Sequence, residues 1–170
     1  MSLHSCREEG RQDIEVDVRS MKPEDLSAVL EIEREAFPSP WSERVFRTEI
    51  QKNAYAEYIV ALHDERIVGY AGMWLFTHEA HITNIAVSPT ERRRRIGAQL
   101  LVSLMQRALL RGATRMTLEV RVSNTAARAF YRRYGFIRRG VRPGYYTDSD
   151  EDAVVMICAD VRDTLARRGL

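Results

Sequence analysis

Four consecutive arginines, Arg92 to Arg95, follow an apolar stretch that ends at Val87 and precede a run with helical spacing that begins at Ile96. They lie at or just before the start of a predicted helix, where the helix dipole already places about half a positive charge. A cation there costs roughly 0.3–1 kcal/mol, so this placement predicts a bound anion. Unsatisfied backbone N–H groups at a helix start bind phosphate, and Gly97 allows a ligand close to the backbone. The alternative is a solvated basic turn, and the arginines alone do not decide between the two.

Further along the chain, two residues carry groups suited to acid–base chemistry. Glu119 lies between the apolar Leu118 and Val120 of a predicted strand, so its carboxylate faces the opposite side of the sheet from both. Tyr131 lies in a predicted amphipathic helix for which Asn124 is a plausible N-cap. On pattern alone Glu119 is a solvent-facing strand residue, and Tyr131 is a packing residue with its hydroxyl at the rim.

The elements that would position these residues follow from hydrophobic periodicity and from turn residues. Their order is β-α-α-β-β-β-α-β-α-β-β. It predicts an α/β protein with a mixed, mostly antiparallel central sheet and helices on both faces. The GxGxxG fingerprint of dinucleotide-binding folds is absent. Strands are predicted at 14–19, 55–62, 67–76, 82–87, 114–120, 136–141 and 153–159, and helices at about 23–37, 42–50, 93–111 and 124–134.

Composition bounds the kinds of protein that this chain can be. A length of 170 residues, 45% of them hydrophobic, is typical of one globular domain. A formal net charge of +2 does not fit a polycation built for nucleic acid, so no direct nucleic-acid partner is predicted. Neither Cys6 nor Cys158 belongs to a CxxC or His/Cys cluster, so no metal site is expected. With neither a signal peptide nor a long apolar run, the prediction is a cytoplasmic protein without membrane contact.

The order of elements and four motifs resemble the GNAT superfamily of acetyl-coenzyme A-dependent N-acetyltransferases over about residues 14–160. With Phe37-Pro38 and Pro40-Trp41-Ser42, they resemble the branch that acetylates protein N-termini, in particular the ribosomal-protein-alanine N-acetyltransferases. Residues 1–13 are polar and lack periodicity, which predicts a flexible N-terminal extension; the resemblance then implies an acetyltransferase domain (14–160) followed by a C-terminal tail (161–170). The motifs are the strand, basic loop and helix at 81–101, LEVRVSN at 118–124, AFYRRYGF at 129–136, and GYY at 144–146 with acids before AVVM at 153–156.

The resemblance implies that acetyl-coenzyme A is the cosubstrate and that no metal takes part. Arg95 stands where the family loop carries its first glycine, so its side chain must point outward if the pyrophosphate is to reach the backbone. Asn124 is implied as a second contact to the coenzyme. The backbone of Ile85, Ala86 and Val87 would pair with the pantetheine arm as an added strand, and the pyrophosphate would be held by Arg92, Arg93, Arg94, Arg95, Ile96, Gly97 and Ala98.

By the same resemblance, Glu119 is the general base, often acting through water, and Tyr131 is the general acid that protonates the coenzyme A thiolate. The first residues of a peptide would lie in a groove, and the acids at 148–152 would either attract its positive end or form a solvated turn. The groove would be lined by Phe37, Trp41, Tyr145 and Tyr146.

Together these features predict direct transfer of acetyl to a protein N-terminal α-amine, with no covalent enzyme intermediate. The acceptor predicted first is the N-terminal alanine of a small-subunit ribosomal protein. The alternatives within the enzyme class are broader protein N-termini, lysine or small amines. Outside that acetyltransferase class, the alternatives are an arginine-rich nucleic-acid-binding module and a catalytically silent coenzyme-binding subunit.

Overall fold

A computed structural model describes residues 12–170 of the chain. Its strands are β1 (Asp17–Ser20), β2 (Ala56–His63), β3 (Arg66–Phe76), β4 (Glu79–Val87), β5 (Arg115–Arg121), β6 (Ile137–Tyr146) and β7 (Glu151–Cys158). Its helices are α1 (Leu26–Ala36), α2 (Glu43–Lys52), α3 (Ile96–Leu110), α4 (Thr125–Arg133) and α5 (Val161–Ala166), with short 3-10 turns at Pro23–Asp25 and Pro89–Glu91.

These strands form one sheet in the order β1-β2-β3-β4-β5-β7-β6. Five of the neighbouring pairs are antiparallel, and the β4–β5 pair is parallel because α3 crosses over between those strands. The predicted α/β class with a mixed, mostly antiparallel sheet is therefore confirmed.

Two hydrophobic clusters cover the two faces of the sheet. Alternate residues of β2 show the division: Ile59 packs in the cluster that contains α3 and α5, whereas Tyr58 and Val60 pack in the cluster with α1 and α2. The same alternation in β5 buries Leu118 on the α3 side and directs Glu119 toward the other face, as predicted. Helices thus lie on both faces of the sheet.

Three of the differences from the sequence-based prediction change an element's role in the fold. Helix α3 begins at Ile96 rather than near Arg93, because Arg93 and Arg95 have positive φ angles of 62° and 60° that no α-helix accommodates. Strand β6 continues through the GYY motif to Tyr146, which had been predicted as a connection. Residues 161–170, predicted as a C-terminal tail, contain helix α5, whose apolar residues complete the core.

The predicted N-terminal extension, residues 1–13, lies outside the described residues except for Gln12 and Asp13. Within residues 12–170, no helix is both long enough and apolar enough to span a bilayer.

Candidate active site

β4 and β5 pair over only three positions, which end at His81 opposite Thr117. β4 remains paired with β3 as far as Val87. From Ile82 onward no residue of β5 in the described chain pairs with β4, so the two strands separate toward their C-terminal ends. The backbone of Ile85, Ala86 and Val87 therefore has a sheet partner on one side only. Such an edge accepts an extended ligand as an added strand.

A β-bulge lies close to the start of this split. Thr83 is the extra residue of β4 opposite Gly72 and Met73. Its hydroxyl oxygen lies 3.0 Å from the Tyr58 hydroxyl. A Cβ atom at Gly72 would lie only 2.1 Å from the Tyr58 ring, so glycine is required for that ring to pack over the strand. The bulge is thus fixed by side-chain packing from the neighbouring strands.

The basic corner follows β4 and ends at the N-terminus of α3. Arg95 is the N-cap residue, has a left-handed backbone (φ 60°), and makes no side-chain capping hydrogen bond. A left-handed conformation costs a non-glycine residue roughly 1–2 kcal/mol, which is the physical reason for a glycine here in similar loops. The Arg95 side chain is 76% exposed, with its Nε atom 2.8 Å from Asp13. The loop therefore keeps its shape without the glycine, and the side chain is directed into solvent.

Other arginines of the corner contact the loop itself. Arg94 pairs with Glu91 at 2.5 Å, and the Arg92 Nε atom donates to the Val87 carbonyl oxygen at 3.4 Å. A Cβ atom added to Gly97 would meet only Val87, at an ordinary 3.8 Å. Packing therefore does not require glycine at position 97. An uncapped helix start next to an open strand edge fits the phosphate and pantetheine parts of acetyl-coenzyme A.

Glu119 lies at the other side of the split, and its side chain is only 7% exposed. Its Oε2 atom is 3.0 Å from His81 Nε2, and its Oε1 atom is 3.2 Å from Arg142 Nε. Burial alone would raise the pKa of this carboxyl. The hydrogen bond between Glu119 and His81, the electrostatic effect of His81 and the positive charge of Arg142 together outweigh burial and lower the pKa below its usual value. Glu119 is therefore an ionised acceptor at neutral pH.

Tyr131 approaches from the opposite face, where it packs against the α3 cluster. Its ring contacts Phe130 and Phe136, with centroids 5.2 and 5.7 Å away. The pKa of the Tyr131 hydroxyl is raised, mainly by burial and to a smaller extent by the nearby Tyr146. The hydroxyl is therefore protonated at neutral pH and available as a donor. The two predicted catalytic residues thus approach the sheet from opposite faces.

Asn124 is the N-cap of α4, as predicted, and its Oδ1 atom accepts from the Ala127 backbone N–H at 3.0 Å. Its contact with the coenzyme stays a prediction.

The four predicted groove residues lie in two separate parts of the chain. Phe37 and Trp41 are partly buried against the α1–α2 cluster, and the Trp41 backbone N–H donates to the buried Glu33 carboxylate at 2.8 Å. Tyr145 and Tyr146 pack edge to face, with ring centroids 5.1 Å apart. Burial, and to a smaller extent the neighbouring Tyr145, raises the pKa of Tyr146 to about 12.

Arg121 links the two parts of the predicted groove through Asp148, and it was not predicted. Its guanidinium group lies 4.0 Å from the Tyr146 ring centroid and 2.7 Å from Asp148. Asp148 also accepts from the Ser39 hydroxyl at 3.1 Å, which links the β6–β7 turn to the α1–α2 loop. Glu151 pairs with the same arginine at 3.4 Å. Two of the acids of this turn, Asp148 and Glu151, are therefore tied to Arg121.

His81 and Arg142 were missed as well, and the sequence carries little signal for either. In the sequence, His81 is an ordinary polar residue next to a predicted strand. Arg142 is one of several arginines in its region and has no feature that distinguishes it. In residues 12–170, no group of three or more His, Cys, Asp or Glu side chains is arranged to hold a metal ion.

Comparison with known proteins agrees with this geometry. The crystal structure of the ribosomal-protein-S18-alanine N-acetyltransferase from Escherichia coli superposes with a TM-score of 0.77 at 33% identity, covering 84% of this chain and 92% of that one. The Chaetomium thermophilum Naa20 structure in complex with a bisubstrate analogue gives a TM-score of 0.75 at 28% identity, covering 87% of this chain and 88% of the other. The fold is therefore that of acyl-coenzyme A N-acyltransferases.

Sequence comparison defines the family. Residues 26–136 match the family model described as the acetyltransferase (GNAT) family. A Bacillus subtilis (strain 168) protein, provisionally named as a [ribosomal protein bS18]-alanine N-acetyltransferase, is 42% identical over 82% of this chain and 92% of its own length. The chain belongs to the GNAT family. It is an acetyl-coenzyme A-dependent N-acetyltransferase, and acetyl-coenzyme A is its cosubstrate.

Proposed function

We propose that this enzyme transfers acetyl from acetyl-coenzyme A to the N-terminal α-amine of a protein, and that its acceptor is the N-terminal alanine of ribosomal protein bS18. The observation that carries the proposal is the ionised Glu119 carboxylate between His81 and Arg142, beside the point where β4 and β5 separate. The names of the relatives from Bacillus subtilis and Escherichia coli support the choice of acceptor.

A weak base suits an α-amine better than a lysine. An α-amine with a pKa of about 7.7–8 is roughly a tenth neutral or more at pH 7, whereas a lysine with a pKa of about 10.4 is neutral in only a few parts in ten thousand. The difference corresponds to roughly 3.5 kcal/mol. Because its pKa is lowered, Glu119 is a weak base that cannot make up that difference. An acceptor that is already partly neutral therefore fits this site.

The two proton transfers of the reaction take place on opposite faces of the sheet. Acetyl-coenzyme A supplies the thioester when it is bound. On one face Glu119 accepts a proton from the amine, directly or through water, and on the other Tyr131 donates its hydroxyl proton to the departing sulfur. The backbone edge of Ile85–Val87 and the loop at Arg92–Ala98 hold the coenzyme, with Asn124 as a further contact. No side chain forms a covalent intermediate.

The acceptor peptide lies on the face of Glu119. Its first residues occupy the groove between Phe37 and Trp41 on one side and Tyr145 and Tyr146 on the other. The link from Ser39 through Asp148 to Arg121 holds these two walls together.

The test is incubation of the protein with acetyl-coenzyme A and peptides that differ only at the first residue. One set begins with alanine, a second set carries other first residues, and a third has a blocked N-terminus with an internal lysine. Mass spectrometry locates the acetylated atom. We expect acetylation of the free α-amine, fastest for alanine, and acetylation confined to lysine would contradict the proposal.

A further inference from the structure

Acetylation of an amine releases a proton that this site has to lose to water. An α-ammonium group gives up two protons when it becomes an amide. One proton ends on the coenzyme A sulfur, and the other has to leave the protein. The proposed base, Glu119, is almost fully covered, and its two oxygens already face His81 and Arg142. A carboxylate buried in this way needs a route by which its proton leaves between turnovers.

We propose that His81 and Thr117 are positioning residues that hold Glu119 and conduct its proton to Glu79 at the protein surface. This inference rests on the proposed function, because it assigns Glu119 the role of proton acceptor.

The side chains form a continuous hydrogen-bonded chain. His81 Nε2 lies 3.0 Å from Glu119 Oε2, and His81 Nδ1 lies 3.0 Å from the Thr117 hydroxyl. That hydroxyl reaches Glu79 Oε1 at 3.5 Å. The Glu79 side chain is 41% exposed, so the chain of contacts ends in solvent.

The sheet itself aligns these groups. His81 and Thr117 occupy the last register pair between β4 and β5, so their side chains leave the same face side by side. Glu119 follows Thr117 by two residues, and Glu79 precedes His81 by two, which places all four side chains on that face. The Trp74 ring packs against His81 with centroids 6.2 Å apart, and its indole N–H donates to Glu49 at 2.6 Å. The imidazole is thus held between two strands.

The proton balance is complete with these groups and water. Glu119 takes one proton from the amine and passes it to Nε2 of the neutral His81 ring, which becomes an imidazolium. The ring then loses its Nδ1 proton to the Thr117 oxygen while the Thr117 hydroxyl proton moves to Glu79 and on to water. Proton exchange with water restores the starting tautomer of His81, whose side chain is 23% exposed.

The experiment compares steady-state rates of coenzyme A release by wild type, His81→Gln and Thr117→Val, with His63→Gln as the control. His63 lies on the β2–β3 hairpin and contacts none of these groups. For His81→Gln we expect kcat at pH 7 to fall about tenfold, with both KM values within twofold of wild type, because only proton transfer is impaired. Adding tens of millimolar imidazole should restore most of the loss, which a purely structural defect would not allow.

Thr117→Val keeps the His81–Glu119 pair and removes only the next link, so it tests the path even if His81→Gln does not fold. We expect its kcat to fall about threefold, with unchanged KM values. Wild-type rates in both variants, or losses that imidazole does not reduce, would overturn the proposal. All rates are measured on whichever amine the wild-type enzyme acetylates. If this amine proves to be a lysine, the proposal of an N-terminal α-amine as acceptor is wrong. The ratio of variant to wild-type rates still tests the proton path in that case.

Discussion

The proposed coenzyme side and the proposed acceptor side of the strand split are built in different ways. The coenzyme side, Ile85–Val87 and Arg92–Ala98, is one continuous stretch of chain that offers backbone groups. The acceptor side joins Glu119, His81 and Arg142 from three different strands, and it offers charged side chains. A backbone site tolerates a change of side chain, as the arginine at position 95 illustrates, whereas a side-chain network does not. Substitutions on the acceptor side should therefore have the larger effects.

The largest effect is expected for Glu119→Gln. Glutamine preserves the shape of the side chain but cannot accept the proton, so kcat should fall about 100- to 1,000-fold. The acetyl-coenzyme A KM should stay within twofold, because the proposed coenzyme contacts are backbone groups on the other side of the split. The measurement is thiol release at saturating peptide.

A matched control is Glu65→Gln, which changes an exposed acid in the β2–β3 turn. It should behave as wild type. A Glu119→Gln enzyme with unchanged kcat would remove the assigned base and, with it, the contrast between the two sides.

Tyr131→Phe should lower kcat about 10- to 100-fold while both KM values remain close to wild type. Since burial raises the pKa of Tyr131, the hydroxyl should remain protonated from pH 6 to 9, so ionisation of this tyrosine causes no fall in rate over that range. Tyr134→Phe, at the C-cap of the same helix and with its ring 5.2 Å from that of Phe130, is the matched control. Equal rates in the two variants would argue that Tyr131 only packs.

Arg121→Ala tests whether the acceptor groove depends on the link between its walls. The substitution removes the contacts with Asp148, Glu151 and the Tyr146 ring, so the β6–β7 turn loses its anchor. We expect the peptide KM to rise about tenfold, while the acetyl-coenzyme A KM changes less than twofold. Arg139→Ala, which changes an exposed arginine of β6, is the control. A parallel rise in both KM values would show that the two sides are not independent.

The same contrast explains what the sequence could predict. Strands, helices and the coenzyme loop follow from local periodicity and turn residues, so their order was correct and most boundaries were close. The acceptor network depends on sheet register, which brings together His81 and Thr117, 36 positions apart, and Arg121 and Asp148, 27 positions apart. No local pattern encodes such pairs. Helix α5 was missed because it is short, and its burial depends on a core formed by the rest of the chain.

The smallest effect is expected on the coenzyme side, for Arg95→Gly. Residue 95 has φ 60°, which glycine adopts freely and which costs other residues roughly 1–2 kcal/mol. Glycine also loses more backbone entropy on folding, which offsets roughly 0.5–1 kcal/mol of that gain. The exposed ion pair with Asp13 contributes little. Arg95→Gly should therefore raise the free energy of unfolding by up to about 1 kcal/mol, with acetyl-coenzyme A affinity within threefold of wild type.

Arg95→Val should change the stability of the protein in the opposite direction from Arg95→Gly. A β-branched side chain is especially unfavourable in the left-handed region, so this variant should be less stable than wild type by about 1 kcal/mol or more. Thermal and denaturant unfolding give the stabilities, and calorimetry gives the affinity for acetyl-coenzyme A. If both variants bind the coenzyme as wild type does, the loop is recognised through its backbone. If affinity falls tenfold in both, the Arg95 guanidinium is itself a contact, and the coenzyme side also depends on side chains.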